Sequence, residues 1–182
     1  MEERFDLVTP EGLPTGVSKR REDVHRDGDW HVSAHVWIVT PDDRVLLQRR
    51  AEGKENHPGL WDVSVAGHLS SGERAVEAAV RECREEIGLA LEPGELEPIG
   101  SMRSEQSLND GRYLDREIHK LFLVRRELSI AALVLDAAEV DQVLLVSLEE
   151  LEERANRNDP TLVDHGDEYR LVVQVIRGCA RP

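Results

Sequence analysis

The sequence predicts a fold that layers β-strands and α-helices, of the α/β (α+β) class. Two observations lead to this prediction: several short segments carry strand patterns, and helix signals stand between and after them. No internal repeat, low-complexity segment or Pro/Gly/Ser-rich linker divides the 182 residues. We therefore expect a single domain over residues 1–182, with its core at about residues 30–155.

The first predicted strands form a hairpin. Residues 31–39 are rich in β-branched and aromatic residues, residues 41–43 (Pro-Asp-Asp) form a turn, and residues 45–47 resume the strand pattern. Further strands are predicted over residues 61–66, 96–101, 117–124 and 140–147. Residues 102–113 are predicted as a loop, with a tight turn at Asn109-Asp110-Gly111.

Three helices are predicted. The clearest covers residues 73–87, because Ser70 and Glu73 match a capping box and Gly88 stands where helices often end. Ser147 and Glu150 repeat the capping pattern, which predicts a helix over residues 148–155. A third is predicted over residues 168–177.

The chain is acidic, with 23 Lys and Arg against 37 Asp and Glu and a net charge of −14. Binding a nucleic acid polymer or an anionic membrane requires surplus positive charge, so neither partner is expected. No apolar run reaches the length of about 18 residues that a transmembrane helix needs. The first residues do not resemble a secretory signal, and Cys83 and Cys179 do not suggest a disulfide framework. We therefore expect a cytoplasmic protein.

The predicted helix over residues 73–87 gathers three glutamates on one face. Since helical residues advance by about 100° each, Glu82, Glu85 and Glu86 lie beside the apolar stripe. Like charges at this spacing repel. The face is either solvated or holds a hard cation such as Mg²⁺, which prefers carboxylate oxygens. Arg81 could orient a glutamate or be a surface arginine. The helix alone leaves both interpretations open.

The surrounding stretch distinguishes these interpretations. Gly67 is followed after five residues by Glu73 and after seven more by Arg-Glu-Cys-Arg-Glu-Glu-Ile-Gly-Leu, residues 81–89. This stretch resembles the signature of the Nudix hydrolases, Gly-x5-Glu-x7-Arg-Glu-U-x-Glu-Glu-x-Gly-U, in which U is a bulky aliphatic residue. Every fixed position matches. Only Cys83 departs, as a small hydrophobe at the first U.

The resemblance implies an α/β/α sandwich with a mixed sheet, in which residues 67–89 (the Nudix box) hold Mg²⁺ or Mn²⁺. It implies Glu82, Glu85 and Glu86 as ligands, the Gly67 carbonyl as a further ligand, and Glu73 as a supporting residue. The implied partner is a small-molecule diphosphate, such as a nucleoside diphosphate derivative. Homodimers are frequent in the family.

Residues 20–125 also resemble isopentenyl-diphosphate isomerases, which share the Nudix fold. The matching residues are His31, Gln48-Arg49-Arg50, Lys54, Pro58, Trp61 and Gly67-His68. This resemblance implies a second metal site of His25, His31, His68, Asp115 and Glu117. The same histidines could instead line the pocket as hydrogen-bonding groups.

Positive charge precedes the carboxylate helix, where a diphosphate pocket would need it. The resemblance implies diphosphate contacts from Arg50 and Lys54, with Arg49 and Arg21 as further candidates. Arg49, Arg50 and Lys54 could also be solvent-facing charges at a strand end. His35, His57, His119 and His165 belong to no recognisable group, and packing or surface roles are predicted for them.

These isomerases need a cysteine just before the Gly-His pair, and this chain has Ala66 there, which can transfer no proton. We therefore expect a metal-dependent pyrophosphohydrolase acting on phosphorus-containing anhydrides. An isopentenyl-diphosphate isomerase and a non-catalytic nucleotide-sugar sensor are the alternatives. The expected catalytic residues are Glu82, Glu85, Glu86 and Glu117, and the general base is Glu85, Glu105 or Glu117. Residues 102–113 are expected to select the substrate, whose identity the sequence does not give.

Overall fold

A seven-stranded mixed sheet forms the centre of the computed structural model, which describes residues 2–178. Its strands are β3 (His31–Val39), β4 (Arg44–Arg50), β5 (Trp61–Asp62), β6 (Val65–His68), β7 (Glu97–Leu108), β8 (Tyr113–Arg125) and β9 (Val140–Ser147). A separate two-stranded ribbon precedes it, formed by β1 (Arg4–Val8) and β2 (Pro14–Arg20). The helices are α1 (Arg21–Asp27), α2 (Ala75–Ile87), α3 (Leu148–Asn156) and α4 (Glu168–Ile176).

Strand β3 organises the sheet. It runs parallel to β8, from the pair His31–Glu117 to the pair Val39–Arg125. It is antiparallel to β6 over residues 33–36 and to β4 at Val39, which pairs with Val45. Strands β7 and β8 form a long hairpin, and β4 also pairs with β5 and β9. The β3–β8 pair makes the sheet mixed.

The two faces of β3 enter different cores, because successive side chains point to opposite faces. Ala34, Val36 and Ile38 pack with the apolar residues of α2. Trp37 and Val39 pack with α3 and α4 on the other face. Helices therefore cover both faces of the sheet, and the predicted α/β/α fold is confirmed.

Most predicted elements are present, with some corrections. The hairpin and the Asn109-Asp110-Gly111 turn form as predicted, whereas residues 61–66 divide into β5 and the start of β6. The prediction of a loop over residues 102–113 is wrong, since β7 continues to Leu108 and β8 begins at Tyr113. The ribbon and α1 were not predicted.

Helix α2 begins at Ala75, two residues after its predicted start. The Glu73 side chain accepts a hydrogen bond from the Ser70 backbone N–H at 2.9 Å. This bond, predicted as part of a capping box, therefore stabilises the turn that precedes α2 and not the first turn of the helix. The N-terminal bond of α2 itself runs from the Arg74 N–H to Glu77. At the other end Gly88 is left-handed, with φ of 68°, as predicted.

Two further expectations concern the chain outside the sheet. Among residues 2–178, no helix is long and apolar enough to cross a membrane. Cys83 is a buried free thiol that fills its place in the α2 core, and burial raises its pKa. Cys179 lies outside the described residues.

Candidate active site

A pocket of about 430 Å³ lies between α2, β3, β6 and β8. It brings together residues from the Nudix box, from the positively charged segment and from the β8 strand. The predicted residues that line it are Arg21, Arg50, Lys54, Gly67, His68, Glu82, Glu85, Glu86, Asp115 and Glu117.

Gly67 lets the Glu82 carboxylate approach the strand backbone. Gly67 pairs with Ala34, so it faces the α2 side of the sheet. A Cβ added at Gly67 would overlap the carboxyl group of Glu82. Any side chain at this position therefore displaces the glutamate. The glycine of the Nudix box is required by this close contact.

Arg81 holds the glutamates of the box together. Its Nε and Nη2 atoms donate to both carboxylate oxygens of Glu73, at 2.8 and 2.9 Å. Its Nη1 donates to Glu82 at 2.6 Å and to Glu85 at 3.0 Å, and its Nη2 also reaches the His68 carbonyl. The hydrogen bonds that Arg81 donates to Glu73 raise the pKa of Arg81 above its usual value. Of the two interpretations of Arg81, the orienting role is the one observed.

Glu86 and Glu82 are carboxylates held in a low-dielectric site. Glu86 is 5% exposed and accepts a hydrogen bond from Gln48 Nε2 at 2.9 Å. Burial, together with repulsion from Glu82, raises the pKa of Glu86 to about 8. Burial also raises the pKa of Glu82. Clustered carboxylate oxygens that repel one another are a donor set that a hard divalent cation fits.

The positively charged side chains reach the pocket already paired. Arg50 Nη1 donates to Asp62 Oδ2 at 3.0 Å, and its Nε and Nη2 donate to the Asn56 carbonyl. Lys54 forms an ion pair with Glu139. These contacts fix where the positive charge lies.

Two other predicted arginines differ in position. Arg21 Nη1 pairs with Glu3 at 3.0 Å, and both residues line the pocket. Arg49 is not among the described residues that line it. Its guanidinium contacts the Gly59 carbonyl at 3.0 Å and Asp141 at 3.0 Å.

The five residues of the predicted second metal site come together at the ribbon end of the pocket. His25, His31, His68 and Asp115 each place one ligand atom within 4.8 Å of the others. His68 Nε2 lies 3.1 Å from Glu117 Oε1. Burial alone would raise the pKa of Glu117, but the neighbouring imidazoles of His31 and His68 hold it well below its usual value.

The buried atoms of this group fit a cation. The Nδ1 atoms of His25 and His31 are hydrogen-bonded to the backbone carbonyls of Arg21 and Asp29, at 2.9 and 3.1 Å. Their Nε2 atoms and Asp115 Oδ1 are buried without a hydrogen-bond partner among the described residues. Buried polar atoms are rarely left unpaired, and a bound cation would satisfy all three.

The general-base candidates separate by location. The Glu85 side chain is 58% exposed and lines the pocket. Glu117 also lines it but is bonded to histidines. Glu105 pairs with Arg116 on the β7–β8 hairpin and is not among the residues described as lining the pocket. Ala66 lines the pocket beside His68, at the isomerase cysteine position.

Several pocket residues were missed by the sequence reasoning. Glu139 and Asp136 lie in an irregular segment before β9 and carry no sequence signal. The prediction that His35, His119 and His165 belong to no group is wrong, because all three line the pocket and lie close together. A signal existed: polar residues recur at every second position, 31–33–35 in β3 and 115–117–119 in β8.

Comparison with known proteins defines the class. A family model, the NUDIX domain, matches residues 29–165. The chain therefore belongs to the Nudix hydrolases, enzymes that act on phosphorus-containing anhydrides.

Individual relatives add detail. The chain is 39% identical to "Nudix hydrolase 3" of Arabidopsis thaliana, over 97% of this chain but only 23% of that protein's length. It is 31% identical to an isopentenyl-diphosphate Delta-isomerase of Streptomyces avermitilis, over 86% of this chain and 76% of the relative. A crystal structure from Deinococcus radiodurans has the same fold, with a TM-score of 0.69 at 21% identity, over 98% of this chain and 100% of that one.

Proposed function

We propose that the chain is a divalent-cation-dependent pyrophosphohydrolase that cleaves the diphosphate linkage of a small molecule, such as a nucleoside diphosphate derivative. One observation carries the proposal: Glu82, Glu85 and Glu86, the first two oriented by Arg81, share a pocket with the Arg50 guanidinium and the Lys54 ammonium. Carboxylates for a cation and fixed positive charges for phosphate oxygens are the two requirements of this chemistry.

Glu82, Glu85 and Glu86, with the Gly67 carbonyl, would hold Mg²⁺ or Mn²⁺. When bound, the cation supplies positive charge against the phosphate oxygens and makes a water molecule more acidic. Glu73 supports the site through its two bonds to Arg81. The pKa of about 8 for Glu86 favours this assignment, because a nearby cation would keep that carboxylate charged at neutral pH.

Arg50, Lys54 and Arg21 would bind the diphosphate. The two bonds from Arg50 to the Asn56 carbonyl hold its guanidinium in one orientation before a substrate arrives. Little side-chain entropy is then lost on binding. Arg49 is left out of this set, because its contacts with Asp141 and Gly59 place it elsewhere.

His25, His31, His68, Asp115 and Glu117 would hold a second cation, supported by the unpartnered buried atoms of His25, His31 and Asp115. Glu85 would accept the proton of the attacking water. It is the general-base candidate that both lines the pocket and remains exposed.

The isomerase alternative has a relative at 31% identity in its favour. Ala66 argues against it, since the methyl group beside His68 can neither donate nor accept the proton that moves to carbon. The sensor alternative would not require every carboxylate of the box, and all four are present.

A panel of small diphosphate compounds tests the proposal. Each is incubated with the protein, with and without Mg²⁺ or Mn²⁺, and added alkaline phosphatase liberates phosphate from monoester products. We expect metal-dependent turnover of at least one compound. Tight binding without products would support the sensor instead. Deuterium incorporation into isopentenyl diphosphate in heavy water would support the isomerase.

Glu85→Gln and Glu86→Gln should each reduce turnover on the order of 10²–10⁴-fold while circular dichroism stays unchanged. Glu77→Gln is the matched control, since it makes the same change in the exposed first turn of α2. Full activity of both variants at saturating Mg²⁺ would overturn the carboxylate assignment.

A further inference from the structure

A second group of three histidines lines the pocket, separate from every residue assigned above. His35 belongs to β3, His119 to β8, and His165 lies between α3 and α4. One ring nitrogen of each lies within 4.8 Å of those of the other two. Three imidazoles from three segments thus lie together beside the pocket, with ring centroids 4.1–5.8 Å apart.

Each imidazole is oriented by a partner at its opposite ring nitrogen. His35 Nδ1 lies 2.9 Å from Glu168 Oε1, His119 Nδ1 lies 2.7 Å from Ser33 Oγ, and His165 Nε2 lies 2.6 Å from Asp62 Oδ1. Metal-binding histidines characteristically use one nitrogen this way, because the bond fixes the tautomer and aims the other nitrogen.

These partners are themselves anchored. Glu168 is fully buried and also accepts a hydrogen bond from Trp37 Nε1 at 2.9 Å. Asp62, 2% exposed, pairs with Arg50 and accepts a bond from the Val63 N–H. The orientation of the imidazoles is therefore built into the core of the protein rather than left to mobile side chains.

Two ring nitrogens of this histidine group have no hydrogen-bond partner among the described residues. His119 Nε2 and His165 Nδ1 are buried and have no hydrogen-bond partner among residues 2–178. Leaving a buried polar atom unpaired costs about 1–3 kcal/mol. Two such nitrogens in one group of three neighbouring histidines point to a ligand.

We propose that His35, His119 and His165 bind a transition-metal dication of the Zn²⁺ type, with an open coordination position that faces the pocket. Three imidazole nitrogens with no carboxylate among them suit Zn²⁺ or Co²⁺ and not Mg²⁺, which prefers oxygen ligands. The site uses none of the box carboxylates, but it adjoins the proposed catalytic pocket, since Asp62 pairs with Arg50 and His119 Nδ1 lies 3.6 Å from Glu117 Oε2.

Metal binding to the full-length chain tests the proposal directly. The protein is stripped with a chelator, placed in excess Mg²⁺ to occupy the carboxylates, and titrated with Zn²⁺ by calorimetry. A parallel titration with Co²⁺ follows the visible absorption that nitrogen-rich tetrahedral coordination produces. Four variants are compared with the wild type: His119→Gln, Ser33→Ala, His31→Gln and His57→Gln.

We expect one tight Zn²⁺ equivalent, with its Co²⁺ absorption, to disappear in His119→Gln and to survive in His31→Gln. His31 belongs to the other histidine group. Comparing His119→Gln with His31→Gln therefore shows which histidine group binds the tight Zn²⁺ equivalent. His57→Gln is the matched control, because His57 lines the pocket outside both groups and its Nε2 lies 3.2 Å from Gln106 Oε1. It should retain wild-type stoichiometry and affinity.

Ser33→Ala removes only the hydroxyl that orients His119, and it should weaken the tight equivalent by about 10–100-fold. If His119→Gln fails to fold, the Zn²⁺ affinity of Ser33→Ala tests the proposal in its place. Wild-type stoichiometry, affinity and Co²⁺ absorption in Ser33→Ala and in folded His119→Gln would overturn the proposal, as would the absence of any tight equivalent in the wild type.

Discussion

At the scale of single residues, Gly67 brings the Glu82 carboxylate of the Nudix box against the backbone of the sheet. The residue lies in β6 opposite Ala34, and the Glu82 carboxyl group occupies the space of its missing side chain. Its φ lies outside the left-handed region, so the backbone itself would accept alanine there. Glycine is therefore required at this position because a side chain would collide with Glu82, and not because of the backbone conformation.

Gly67→Ala should therefore reduce kcat/KM on the order of 10²-fold without unfolding the protein, because Glu82 must move by about a bond length. Steady-state kinetics at several Mg²⁺ concentrations measure the effect, and circular dichroism checks the fold. Gly53→Ala is the control, since a Cβ at Gly53 meets no atom within 4 Å. Equal kinetics for the two variants would contradict the proposed role of the contact.

At the scale of secondary structure, predictability follows the presence of local periodicity. Helix α2 repeats its apolar residues at helical spacing and ends at Gly88, so both its identity and its C-terminus could be predicted. The outer half of β7 could not be predicted from the sequence. Its residues 102–108 are mostly polar and partly exposed, and β8 holds them in a hairpin through pairs such as Arg103–Ile118.

The ribbon and α1 were missed for a related reason. Their buried apolar residues are few, namely Phe5, Leu7 and Val24, and they form a small separate core. Phe5 stacks on His31 and His68, with ring centroids 5.2 and 4.7 Å apart. The ribbon is thus packed against the site by tertiary contacts, which no pattern within its own sequence reveals.

The two histidine groups show the same limit for the site. Glu82, Glu85 and Glu86 lie within about one turn of α2, so spacing alone gathers them. His35, His119 and His165 meet only because β3 and β8 are parallel neighbours and the segment before α4 returns to them. The alternating polar positions in both strands could show that a polar face exists, but not which residues meet across it.

The turn after α3 provides a test at this scale. Asp159 accepts hydrogen bonds from the Thr161 N–H at 3.0 Å, Arg154 Nε at 3.0 Å and Arg157 Nη2 at 2.9 Å. Thr161 in turn accepts a bond from the Trp61 N–H at the start of β5. The bond from the Thr161 N–H, with Arg157, lowers the pKa of Asp159. The turn thereby fastens α3 to the sheet edge.

Asp159→Asn should lower the free energy of unfolding at pH 7 by about 1–3 kcal/mol, since charge-assisted bonds are lost. A lowered pKa stabilises the fold above the unfolded value of about 3.9 and loses that effect as the pH falls through the folded value. The difference between variant and wild type should therefore shrink below about pH 4 in urea unfolding. Asp141→Asn, at an exposed pair with Arg49, is the control and should change stability by less than about 0.5 kcal/mol.

At the scale of the whole molecule, the net charge of −14 and an anionic substrate are compatible because the charge is unevenly placed. Glu82, Glu85 and Glu86 gather negative charge at one side of the pocket, while Arg50 and Lys54 bring positive charge to its lining. A bound cation would convert the acidic part into a surface that accepts phosphate oxygens. The overall charge opposes nucleic acid polymers, which need an extended positive surface.

If the proposed cation site is occupied, the stability of the whole fold should depend on divalent cations. Repulsion among buried carboxylates opposes folding, and a ligand that binds only the folded state stabilises it by RT ln(1 + [L]/Kd), about 2.7 kcal/mol at a hundredfold excess over Kd. For a chain of this size 1 kcal/mol shifts Tm by about 2–4 °C, so Mg²⁺ should raise Tm by roughly 5–10 °C over the chelator-treated protein.

Thermal unfolding at constant ionic strength, balanced with NaCl, measures the shift. Glu86→Gln should lose most of it, whereas Glu77→Gln on the exposed side of α2 should keep it. An equal rise with NaCl alone would mean that screening of the overall charge, and not occupancy of the carboxylate site, stabilises the protein.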